Sequence, residues 1–116
     1  EFGVKVCVSE DEAEYTIISY DKNAELLKVD TTNSGPEKSP KSIESAPLVL
    51  SKGEKLILRV FVDKSVIEIF ANSRQAIARR IFPEKTDSTG VKVFTKGSNV
   101  EVTKFKSWQI APSNPY

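Results

Sequence analysis

Apolar and polar positions along this chain alternate with a period near two, and nowhere with the 3.6-residue period of a helix. The densest stretch is Leu56 to Phe82, LILRVFVDKSVIEIFANSRQAIARRIF. It holds three runs rich in β-branched and aromatic residues, at 56–62, 66–71 and 76–82. The breaks between them are Asp63-Lys64-Ser65 and Asn72-Ser73-Arg74-Gln75, residues that bond their own backbone or accept tight turns. Loops this short force antiparallel neighbours, so the stretch predicts a three-stranded meander.

The remaining pattern can be placed around that meander. Val4 to Ser9 alternates as V-K-V-C-V-S, and Tyr15 to Tyr20 is β-branched and aromatic; both predict strands. An Asx-type turn at Asp21–Ala24 leads into a third strand, Leu26 to Thr32. Thr32 to Ser45, rich in Asn, Ser, Pro and Lys, predicts a long exposed loop, followed by a short apolar segment at 47–50. After a loop over 83–89, Gly90 to Thr95 predicts a strand. Val100 to Ile110 predicts a last one, whose broken alternation calls for a bulge near Thr103-Lys104. The tail APSNPY, with two prolines, leaves the sheet. About eight short strands without a helix argue an all-β fold, an antiparallel two-sheet β-sandwich of jelly-roll or concanavalin-like kind, or a barrel. At 116 residues the chain is read as one domain, long enough to bury a core without disulfides.

Charge adds little to this picture. Seventeen basic and sixteen acidic residues nearly cancel, so neither nucleic acid nor an anionic membrane is expected as a partner. No apolar run approaches the roughly 20 residues of a membrane span. The chain opens at Glu1-Phe2-Gly3 without an initiator methionine, as a fragment or processed piece would; neither a cytoplasmic nor a secreted location follows from it.

Treating the second break as a four-residue loop sets Ala71 against Ala76. Glu68 then lies opposite Arg79, with Val66 opposite Ile81 and Phe70 opposite Ile77 on the same face. Glu68 and Arg79 would form a charge-assisted ion pair, a structural reading preferred to catalysis because the only nearby acid in sequence, Asp63, opens a turn, as Asp commonly does. In this register both faces of the hairpin are apolar, more than a free-standing sandwich requires. Val66, Phe70, Ile77 and Ile81 are therefore the candidate interface with another domain or subunit. A one-residue slip would exchange the faces.

Other chemistry is excluded by composition. With no histidine and Cys7 as the sole cysteine, zinc sites and Ser/His or Cys/His nucleophile systems cannot be assembled within the chain. Isolated glycines form no phosphate cradle, and there is no N-glycosylation sequon. No catalytic residue, metal ligand or cofactor is expected. Trp108 is a weak sugar-contact candidate, although its place on an alternating strand beside Ile110 favours core packing.

Residues 58–83, LRVFVDKSVIEIFANSRQAIARRIFP, resemble the most recognisable segment of the C-terminal β-sandwich module of glycoside hydrolase family 32, the invertases, levanases, inulinases and other β-fructosidases. KVDTTNSG upstream and DSTGVKVFTKGSNVEVTKFKSWQI downstream extend the resemblance over nearly the whole chain. It implies a parent enzyme that hydrolyses β-fructosides with retention, using an aspartate nucleophile and a glutamate acid/base. Those groups would lie on an N-terminal five-bladed propeller, whose Asn-Asp-Pro-Asn, Arg-Asp-Pro and Glu-Cys segments do not occur here; Cys7 follows Val6. The resemblance thus implies a non-catalytic packing partner of the propeller, with a homodimer as a further partner. A fructan-binding module is the alternative.

Overall fold

The structure, a computed structural model, describes residues 1–38, 41–63, 65–84, 88–97 and 105. Among them are eight strands and no helix: β1 Phe2–Val8, β2 Thr16–Asp21, β3 Leu26–Asp30, β4 Ile43–Pro47, β5 Leu58–Asp63, β6 Val66–Ala71, β7 Gln75–Arg80 and β8 Gly90–Thr95. They form two antiparallel sheets, a five-stranded one in the order β4-β3-β2-β1-β8 and a three-stranded meander, β5-β6-β7. Apart from Phe105, the predicted last strand, with its bulge and Trp108, lies outside the described residues.

The core is where the inward parities of both sheets meet. Ile18, Tyr20, Leu27 and Val29 come from the larger sheet; Ile67, Ile69, Ala71 and Ile77 come from the meander, with Leu48 and Ile81 sealing the rim. Each fully buried Ile or Leu contributes about 2 kcal/mol through removal of apolar surface from water. Tyr20 adds a directional contact, its hydroxyl donating to the Leu48 carbonyl at 2.7 Å. That bond ties β2 to the connector that carries the chain from one sheet to the other.

Two local features shape the first strand. Gly3 faces Ser19 and Phe94, and a Cβ there would lie 2.0 Å from the Ile18 carbonyl oxygen, so only glycine fits. The β1–β8 register shifts between Lys5 and Val8, and Cys7 within the shift has φ 51°. One extra residue in β1 accounts for both observations. Cys7 packs half-buried against the core, and burial, then the nearby Glu14 carboxylate, pushes its thiol pKa up.

β4 falls partly within the stretch read from sequence as loop. Its residues, IESAP, are exposed except for the half-buried Ala46, because it is an edge strand paired only with β3. An edge strand needs no apolar alternation, and Pro47 at its end is tolerated for the same reason. The pattern therefore carries no signal of it.

Candidate functional site

The β6–β7 hairpin, the most distinctive stretch of the sequence, is the place to look for chemistry. Asn72 and Ser73 both take left-handed conformations, φ 52° and 54°, and the Arg74 N–H donates to the Ala71 carbonyl at 3.0 Å. The loop therefore has three residues, and Ala71 faces Gln75, one position earlier than a four-residue loop would place it. Every cross-strand pair moves accordingly. Glu68 faces Ala78, Val66 faces Arg80 and Phe70 faces Ala76.

This register corrects the Glu68–Arg79 ion pair. Glu68 projects outward, exposed, between Phe61 of β5 and Ala78 of β7. Arg79 projects inward opposite Ile67 and reaches across the sandwich, pairing with Glu44 of β4 and donating to Thr31 Oγ1 at 3.3 Å. It is an inter-sheet tie. The candidate interface divides in the same way. Ile77 and Ile81 are core residues, whereas Val66 and Phe70 remain outside, 37% and 38% exposed.

The polar residues of the turn hold the connector between the sheets. Asn72 accepts from the Ile57 N–H at 2.7 Å and donates to the Lys55 carbonyl at 2.8 Å and to Glu54 at 3.1 Å. Arg74 donates to the Val49 carbonyl and to Glu54, both at 2.9 Å, and Gln75 donates to the Pro47 carbonyl at 2.8 Å. Glu54 also accepts from the Ser51 N–H at 2.9 Å. These contacts, the Arg74 hydrogen bond foremost, lower the Glu54 pKa from 4.5 to about 2. The irregular chain from Pro47 to Ile57 thus finds partners for its backbone groups in side chains of the opposite sheet. Sequence reading took Asn72–Gln75 as turn formers only. Their second role depends on the connector's path, which no local pattern encodes.

Another structural carboxylate sits at the far end of the sandwich. Glu14 is buried and accepts from the Ser88 hydroxyl and from the Glu84 N–H at 2.9 Å, binding the 83–89 loop to the β1–β2 connection. An open depression of about 380 Å³ lies beside it, lined by Asn33, Glu37 and Lys41 among others. Among the described residues no group of three or more His, Cys, Asp or Glu could hold a metal ion.

The outer faces of the two sheets differ. On the five-stranded sheet the lysines are engaged: Lys28 with Asp21 at 3.2 Å and Glu1 at 3.9 Å, Lys92 with Glu12, and Lys5 over the Tyr15 ring. On the meander, Phe61 and Phe70 meet edge to face, ring centroids 5.9 Å apart, beside Val66 and the exposed Ala76 and Ala78. Arg59, Asp63, Glu68 and Arg80 surround them, and among the described residues none of these four forms an ion pair. An aromatic centre bordered by unpaired charges has the anatomy of an interface.

The fold and the engaged carboxylates define a β-sandwich module with a scaffold-building hairpin and one bare aromatic face. The chain belongs to the family described as glycosyl hydrolases family 32 C terminal, whose model matches residues 1–109. It is 35% identical to the levanase of Bacillus subtilis, aligned over 97% of this chain and 16% of that protein. It is 32% identical to the sucrose-6-phosphate hydrolase of Zymomonas mobilis, over 85% of this chain and 19% of the relative. Among solved structures, the exo-inulinase of Aspergillus awamori superposes with a TM-score of 0.76 at 25% identity, covering 83% of this chain and 19% of that one. The chain thus spans less than a fifth of the length of each of these relatives.

Proposed function

We propose that this chain is a non-catalytic C-terminal module, one β-sandwich domain, of a family 32 glycoside hydrolase. Its parent hydrolyses β-fructosidic bonds in sucrose or fructans, and the module stabilises the propeller that carries the catalytic carboxylates. The observation that carries this reading is the destination of the hairpin's polar side chains. Asn72, Arg74, Gln75 and Arg79 bind backbone and side chains of the module's own scaffold, so the signature stretch serves architecture. Glu44, Glu54 and Glu14 are likewise engaged within the fold.

A retaining glycosidase needs two carboxyl groups about 5 Å apart, one of them free to exchange a proton. Phe61 and Ala78 stand directly opposite Glu68, and the one acid sharing its face among the described residues, Asp63, is paired with Val66 where β5 turns into β6. Incubating the purified chain with sucrose, levan and inulin tests the assignment. No fructose is released, whereas the full-length protein releases it; turnover by the isolated chain would refute the reading. The fructan-binding alternative rests on Trp108, which lies outside the described residues.

A further inference from the structure

We infer that the outer face of the β5–β6–β7 meander, centred on Phe61 and Phe70, is the surface on which the catalytic domain of the same protein seats. This deepens the reading above and rests on it. Among the described residues the two outward sheet faces are the broad candidates, and their chemistry separates them. On the outer face of the five-stranded sheet the lysines are already engaged, Lys28 with Asp21 and Glu1, Lys92 with Glu12 and Lys5 over the Tyr15 ring, and its exposed apolar residue Ile43 stands apart on the edge strand β4. Desolvating such a face would disrupt pairs without providing new ones.

The meander face has the opposite character. Phe61 and Phe70, 41% and 38% exposed, form an apolar centre with Val66. Arg59, Glu68 and Arg80 stand around it with no ion pair among the described residues, although the Arg80 guanidinium lies 5.6 Å from the Phe82 ring centroid. Aromatic anchors in the middle and charges of both signs at the rim fit a partner with an apolar patch and a complementary charged border. A domain on the same polypeptide meets this face at high effective concentration, so a patch of modest size suffices. The relatives supply ample chain for such a domain, since about four-fifths or more of each lies outside the part matched here.

The test uses the full-length enzyme. Calorimetry compares Phe61→Glu/Phe70→Glu with Ile43→Glu, the latter on the outer face of β4 and 60% exposed. Docking through the meander predicts that the double variant splits the unfolding transition or lowers it by at least about 3 °C, while Ile43→Glu leaves it in place. Hydroxyl-radical footprinting of the unmodified protein gives a reading free of substitutions. Phe61 and Phe70 are oxidised at least about tenfold more slowly than free phenylalanine would be at their exposure in the lone module. If only Ile43→Glu shifts the transition and the two rings oxidise freely, docking uses the other face, and this inference falls while the proposed role stands. If neither variant acts, the stabilising role itself fails. A double variant that halves the mass in light scattering without moving the transition would assign the face to a second copy and overturn the inference. Should the double variant fail to fold, the footprint decides.

Discussion

Single residues in this module are constrained by backbone proximity more often than by reactivity. Gly3 is the sharpest case, because the Ile18 carbonyl occupies the space of its missing side chain. Gly3→Ala must push two paired strands apart, and we expect a loss of about 2–3 kcal/mol in chemical denaturation. Glu54 shows the complementary, electrostatic constraint. Its folded pKa is depressed from 4.5 to about 2, so the folded state binds fewer protons than the unfolded chain between those values. Its contribution is complete above about pH 4.5 and lost as the pH falls toward 2. Glu54→Gln should therefore flatten the acid limb of the stability profile over that window and change its shape little near neutrality, as pH-dependent urea titrations would show. Neither constraint is legible in the sequence. Gly3 and Glu54 look like ordinary turn or edge residues until the strand beside one and the hairpin beyond the other are in place.

At the level of elements, most strands were legible because their inward positions are β-branched or aromatic. The meander is legible from its three β-branched and aromatic runs and the two turn-like breaks between them. Its register was not. Asn72-Ser73-Arg74-Gln75 suits a three- or a four-residue loop equally, and the choice rests on two left-handed residues, one of them serine. The one-residue difference moved Ile77 and Ile81 into the core, left Val66 and Phe70 outside and separated Glu68 from Arg79. β4 was missed for the converse reason, since an edge strand with one inward contact needs no pattern. Ser73 offers a direct check on the turn. A non-glycine residue in the left-handed region is strained, and Ser73→Gly relieves that strain at some cost in unfolded-state entropy. A net gain of about 0.5 kcal/mol, seen as a rise in Tm of about 2 °C, is expected. A fall would show that the hairpin closes differently.

For the whole molecule, two sheets of unequal width are held together chiefly by apolar packing. The Arg79–Glu44 pair crosses between them, yet its guanidinium is largely enclosed and Arg79 Nε has no partner among the described residues. Desolvation therefore offsets most of its attraction. Arg79→Met should change stability by less than about 1 kcal/mol, whereas Ile69→Ala, at a fully buried position, should lose about 3–4 kcal/mol. Family membership was legible in the sequence through the run at residues 58–83. The docking face was legible only as an excess of apolar residues, and the positions composing it required the register. The clamp made by Asn72, Arg74 and Gln75 has a consequence for engineering this scaffold. Hairpin tips are usually the first choice for grafting a peptide or splitting a chain. Here an insertion would release three grips on the segment joining the layers, so foreign sequence is better placed at Lys22–Asn23 in the β2–β3 turn, at the cost of the local Asp21 bonds to Asn23 and Ala24, with Glu25 kept because its carbonyl accepts from the Leu48 N–H at 2.9 Å.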